Sequence, residues 1–139
     1  MSEQRTIEQR RAKAAWDDVS GVKDKGYSEE YKATAQNFPM LVLTNGLGQA
    51  LAFLRAKGKS HHRAFYQHVS RWVTGQIYPP ENDGLLEKII ADTSHNYRRS
   101  TAEALAFAAW LKRFAEAELD VRKTSQIVET VLTEDREEG

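Results

Sequence analysis

Three histidines stand within eight residues, His61, His62 and His68, and they are the first side chains to weigh for metal or acid–base chemistry. Positions 61 and 68 fall two turns apart on one helix face. Gripping one ion would need further donors, and the chain has no cysteine and no nearby carboxylate to supply them. These histidines read as surface or half-buried side chains that add positive charge to a face at lower pH. His95 is isolated. Asp17 and Asp18 are adjacent, but consecutive helical residues point about 100° apart. The pair therefore does not converge on one substrate and reads as a solvated face rather than an acid/base couple. No Walker loop, G-x-G-x-x-G, His-Glu-x-x-His or G-x-S-x-G elbow occurs. The expectation is a protein with no catalytic residue, no metal, no cofactor and no small-molecule substrate.

The cations carry a stronger signal. Arg55, Lys57, Lys59 and Arg63 are spaced over nine residues, and Arg71 follows. No Asp or Glu occurs from Tyr31 through Pro80, although Lys32 and all five of these cations do. The formal net charge of zero hides this, because residues 118–139 carry three Lys+Arg against seven Asp+Glu. Cations on an acid-free stretch suit a polyanion, whose phosphates they would neutralise. Arg55, Lys57, Lys59, Arg63 and Arg71 are therefore the candidate polyanion-binding residues. Arg98-Arg99 and Lys112-Arg113 are candidates to extend the patch. Phe65, Tyr66 and Trp72 could stack on bases, but their spacing with Val69 matches an inward helical stripe, so we assign them to the core.

The elements that must position these residues are helical. Residues 3–25 place Ile7, Ala14, Ala15, Val19 and Val22 at helical spacing. Gly26 stops that helix. Ser28 caps the next, with Glu29 and Glu30 in its first turn, and Pro39 should kink or break it near Asn37–Phe38. Asn45-Gly46 is a turn, after which Leu47, Ala50, Leu51 and Leu54 resume the pattern. Ser60 caps a helix bearing Phe65, Val69 and Trp72, and residues 76–84 form a loop around Pro79-Pro80. A short helix holds Leu85, Leu86, Ile89 and Ile90. Ser100-x-x-Glu103 has the form of a capping box, opening a helix from Thr101 to about Leu119. That last helix carries two apolar stripes, Leu105–Ala108–Leu111–Ala115 and Phe107–Trp110–Phe114, and belongs at the centre of a bundle. No segment alternates as a strand does. A helix-turn-helix over residues 28–57 is disfavoured, since Leu47–Lys57 offers few polar groups to read bases.

The 139 residues, 40% hydrophobic, suit one domain with one core. The expected fold class is all-α, a compact bundle of six or seven helices over residues 1–119, followed by an acidic C-terminal helix or flexible tail over 120–139. In that tail Val121, Ile127, Val128, Val131 and Leu132 form a weak helical stripe ahead of TEDREEG. The charged start has no apolar signal segment, the longest apolar run is far short of a membrane span, and the lack of cysteine fits a reducing cytoplasmic compartment.

Two segments in this order resemble a known family. The first is Phe38–Lys57, with Pro39, Asn45-Gly46-Leu47 and Phe53-Leu54 leading to Lys57. The second, after Tyr97, is Thr101–Glu118, with Glu103-Ala104-Leu105, Trp110-Leu111-Lys112 and Phe114-Ala115. Together they are similar to the small helical subunit of the type III-B CRISPR effector, the Cmr complex, over roughly residues 10–118. The resemblance implies a non-catalytic α-bundle whose copies stack into a minor filament beside the subunits holding the guide RNA, lining the groove where target RNA pairs. Its implied partners are the other subunits, copies of itself, and guide and target RNA touched through phosphates, in antiviral defence. Two other readings compete: an adaptor whose basic face docks on an acidic protein and never meets RNA, and a hydrolase using the histidines.

Overall fold

A computed structural model describes residues 4–80 and 84–119. The acidic segment 120–139 lies outside the described residues. Six helices run α1 Ile7–Val22, α2 Ser28–Asn45, α3 Leu47–Lys57, α4 Ser60–Ile77, α5 Leu85–Ala91 and α6 Ser94–Glu118, with no strand among the described residues.

Helix α1 opens on a reciprocal cap that the residues near its start dictate. Thr6 accepts from the Gln9 amide while the Gln9 side chain accepts from the Thr6 amide. The buried face is Ala15, Val19 and Val22, spaced as expected. In α2 and α4 the anticipated cap serines are instead the first helical residues, with Tyr27 and Lys59 at the cap positions, a shift of one residue.

Pro39 does not break α2. The helix runs through it to Asn45, although the ring cannot donate to the carbonyl four residues back. Tyr31 and Ala35 before the proline and Phe38 and Val42 around it are all buried against neighbouring helices. Each large apolar side chain of that kind contributes about 1.5–3 kcal/mol on burial, enough to offset the lost bond.

The last helix also departs from the sequence reading. It starts at Ser94, capped by the Thr93 hydroxyl, which accepts from the Asn96 amide. Ser100 is fully buried inside the helix and caps nothing. Thr93 already supplies a cap oxygen three residues before a free amide, so the helix nucleates about two turns earlier. Glu103, freed from capping, reaches two other helices instead.

At 25 residues α6 is the spine. It packs against α1, α2 and α4, while α3 and α5 close the bundle against α2, α4 and each other. Its face of Ala104, Phe107, Ala108, Leu111 and Ala115 is buried. The alanines let α1 and α2 approach closely, and Phe107 stacks on Trp72 of α4 with centroids 5.2 Å apart. Phe38 and Tyr31 of α2 meet Phe65 of α4 at 4.9 and 5.5 Å, which puts the downstream aromatics in or against the core as expected.

One residue joins α2 to α3. Gly46 takes φ +90°, a conformation that L side chains rarely adopt. The Gly48 amide in the first turn of α3 then donates to the Tyr97 hydroxyl at 2.8 Å. A Cβ on Gly48 would sit 3.3 Å from that same oxygen.

Candidate nucleic-acid interface

The cations of the acid-free segment come from the end of α3 and the start of α4, joined by a turn in which Gly58 adopts the left-handed conformation that ends α3. Arg55 and Lys57 lie in the last turn of α3. That is where the helix dipole favours cations. Lys59 is the cap residue of α4 and Arg63 is one turn in. Four of the five candidate residues therefore cluster at one corner.

Arg55 and Arg63 face a cleft of about 560 Å³ between α3, α4 and α5, lined also by Tyr66, Gln67, Glu87 and Lys88. The Arg55 guanidinium lies 5.7 Å from the Tyr66 ring centroid and donates to Glu87 at 2.5 Å. That bond holds the Glu87 carboxyl below, and the Arg55 guanidinium above, its ordinary range. On the other side of the corner, Lys57 sits 5.5 Å from the centre of the Phe53 ring. Neither Lys59 nor Arg63 is paired with a carboxylate among the described residues. His61 and His62, with centroids 4.0 Å apart, complete this side. Partial burial lowers both their pKa values, and Lys59 lowers them further. They charge only at lower pH than an ordinary histidine, so near neutrality the corner's charge is that of its lysines and arginines.

Arg71 belongs elsewhere. It lies two turns beyond Arg63 and faces α1, with Nη1 3.7 Å from Asp18 Oδ1. Asp18 is not on a solvated face: its side chain is 14% exposed. Burial, reinforced by Asp17, raises its pKa to about 7 against the opposing pull of Arg71. His68 follows, with Nε2 4.0 Å from Asp18 and Nδ1 2.7 Å from the Tyr31 hydroxyl. Burial lowers the His68 pKa to about 4, with Arg71 acting in the same direction, and raises that of Tyr31 well above its usual value. A protonated Tyr31 donating to Nδ1 leaves the ring proton on Nε2, toward Asp18. Tyr31 is completely buried, so this Tyr–His–Asp chain cannot reach a substrate through its hydroxyl. It ties α2, α4 and α1 together. Asp17, by contrast, is exposed and pairs with Lys13 at 2.8 Å.

A second network fixes α1 to α4 and α6. Arg11 grips Glu103 with two bonds, Nε to Oε2 at 2.5 Å and Nη2 to Oε1 at 2.9 Å, and Trp72 Nε1 donates to Oε2 at 2.8 Å. The hydrogen bond from Arg11 holds the Glu103 carboxyl below its usual pKa against the opposing effect of burial.

Sequence reasoning missed Glu87 and Lys88 as part of the cleft. Their only advance signal was an acid and a base on a short helix following the loop. Arg113 is paired with Glu116 at 3.4 Å and Arg99 with Asn96 at 3.1 Å, both within α6. Neither lines the α3–α5 cleft.

A family model described as CRISPR-associated protein (Cas_Cmr5) matches residues 7–118. The CRISPR system Cmr subunit Cmr5 of Thermus thermophilus is 40% identical over 88 residues, 63% of this chain and 74% of that one. The X-ray crystal structure of a CRISPR-associated Cmr5 family protein from the same organism superposes with a TM-score of 0.73 at 34% identity, covering 84% of this chain and 99% of that one.

Proposed function

Because the chain belongs to the CRISPR-associated Cmr5 family, we propose that it is the non-catalytic small subunit of a cytoplasmic type III-B Cmr effector in antiviral defence. In this reading copies of the chain stack as a minor filament beside the guide-holding subunits and line the groove where target RNA pairs. The observation that carries the RNA contact is the α3–α4 corner, where Arg55, Lys57, Lys59 and Arg63 converge and the adjoining cleft adds Lys88 and Tyr66. Four cations clustered at one corner suit neighbouring phosphates of a polyanion. Phosphate contacts give position and affinity without sequence preference, as any guide–target duplex requires. Arg71 stands apart from this cluster, with its guanidinium 3.7 Å from Asp18 and its side chain still exposed.

The test is the triple reversal Lys57→Glu, Lys59→Glu and Arg63→Glu in the assembled complex. All three side chains are exposed, so the helical content and melting of the subunit should be unchanged. Retention of target RNA should fall by about tenfold or more at moderate salt. Normal retention by a folded triple variant overturns the site.

A second reading, an adaptor without RNA contact, is favoured by exposed apolar side chains on other faces: Trp16 on α1, Leu43 on α2 and Ile90 on α5. Photocrosslinking of labelled target RNA separates the two, because an adaptor yields no crosslink at the corner.

A further inference from the structure

The Arg11–Glu103 and Arg55–Glu87 pairs both join helices, but their surroundings differ. Arg11 and Glu103 are only 16% and 13% exposed, and their pairing belongs to the fold. Arg55 and Glu87 are 47% and 58% exposed and stand at the cleft between α3, α4 and α5. Glu87 is the one carboxylate among the described residues lining that cleft, where it meets Arg55, Arg63 and Lys88. It comes from α5, outside the acid-free stretch, so the fold sets an anion among these cations. The helix that carries Glu87 is anchored without it. The Leu85 amide donates to Ser70 Oγ at 3.0 Å and the Leu86 amide to the Tyr66 hydroxyl at 3.2 Å. Leu85 and Ile89 are buried. Helix α5 therefore keeps its seat whether or not Arg55 holds Glu87, and the carboxylate can leave by side-chain rotation alone. Arg55 has a second contact of its own, its guanidinium lying 5.7 Å from the Tyr66 ring centroid. That contact keeps it at the cleft when Glu87 departs.

We propose that Glu87 is an internal stand-in for phosphate: it occupies Arg55 in the free chain and is displaced when a phosphate of a bound strand enters the cleft. The proposal rests on the reading of the α3–α4 corner as a phosphate-binding face. It adds a place for one phosphate, between Arg55 and Arg63, and the group with which that phosphate competes. A guanidinium takes a phosphate through the same paired N–H groups that take a carboxylate, so the exchange leaves Arg55 with a full set of acceptors. The contact is autoinhibitory. An exposed pair of this kind is weak enough to exchange, and breaking it lowers phosphate affinity by about two- to fivefold.

The test uses the full chain and inorganic tripolyphosphate, and so does not require RNA. Binding is followed by two-dimensional magnetic resonance in the wild type, Glu87→Gln, Arg55→Gln and the double variant. Both side chains are exposed, and the amide spectra report that each variant is folded. Measurements are made at an ionic strength of about 0.15 M, where distant charges are screened. Displacement predicts that Glu87→Gln binds tripolyphosphate about two- to fivefold more tightly than the wild type. The gain should be lost when Arg55 is already Gln, because the two substitutions then act on one contact. An equal gain in both backgrounds would mean that Glu87 acts only as a nearby charge, and would overturn the proposal. Unchanged affinity in Glu87→Gln, or no tripolyphosphate binding by the wild type, would overturn it too. Failure of the RNA reading looks different: the Arg55-dependent gain is present, yet the triple reversal at Lys57, Lys59 and Arg63 leaves target-RNA retention normal.

Discussion

Glu103→Gln is the sharpest perturbation of the fold, because one carboxylate there serves three helices. In the native protein Glu103 accepts two bonds from Arg11 and one from Trp72, with the Arg11 and Glu103 side chains only 16% and 13% exposed. The amide keeps the shape and one acceptor oxygen but loses the charge, leaving Arg11 with Glu8, at 2.8 Å and largely exposed, as its remaining carboxylate partner. Breaking a fully buried pair costs about 3–5 kcal/mol, and the residual exposure here argues for about 2–3 kcal/mol. For a domain of this size that lowers the melting temperature by roughly 6–12 °C. The pH dependence supplies an internal control. Glu103 has a folded pKa below its unfolded value of 4.5, with the Arg11 hydrogen bond as the leading cause. Its stabilisation is therefore complete above about pH 4.5 and is lost as pH falls through the folded value. Thermal melts followed by circular dichroism should show a constant gap between wild type and Glu103→Gln from pH 6 to 8, closing in acid. A gap under about 0.5 kcal/mol at pH 7, or one that persists unchanged at pH 3, would refute the account of the network.

The Asp18 carboxyl gives a prediction of opposite sign. Its folded pKa of about 7 exceeds the unfolded 3.8, so ionising it weakens the fold progressively as pH rises between those values. Asp18→Asn should gain over wild type across that window, by up to about 2–4 kcal/mol at pH 8. It should also unmask His68, whose lowered pKa of about 4 makes stability rise with pH toward 6.5. A variant less stable than wild type at pH 8, measured by urea midpoints, would show that the Arg71 pair outweighs the burial. Tyr97→Phe removes the acceptor of the Gly48 amide and should cost about 1–2 kcal/mol in urea unfolding with an unchanged m-value. A neutral result would mean that water satisfies the amide in its place.

Periodicity made the bundle readable. Leu47, Ala50, Leu51 and Leu54, or Ala108, Leu111 and Ala115, can bury one stripe only as helices, and they do. What escaped the sequence were pairings between elements. Glu103 stood three residues after a serine and so had the form of a cap, but its partner Arg11 lies 92 positions away. Asp18 read as solvated because nothing in its neighbourhood reveals that α2 and α4 close over it. The candidate site was legible in part for the same reason. The acid-free stretch from Tyr31 to Pro80 is a property of the chain, whereas the fold brings in acids from outside it. Glu87 meets Arg55 and Asp18 meets Arg71, while Lys57 and Lys59 of the corner keep their charge uncompensated by any described carboxylate.

Gly46 leaves no slack between α2 and α3. The eleven residues of α3 form a rod of about 16 Å, bounded at one end by Gly46 and the Tyr97 hydroxyl, with Lys57 at the other end beside the Gly58 turn. A pull on Lys57 by any binding partner acts on the longest arm of that rod. The resulting torque is shared between the Gly48–Tyr97 bond and the faces of α2, α4 and α5 on which α3 packs. The Gly48 amide is thereby a built-in gauge: its magnetic resonance signal should register an event at the far corner that it never touches.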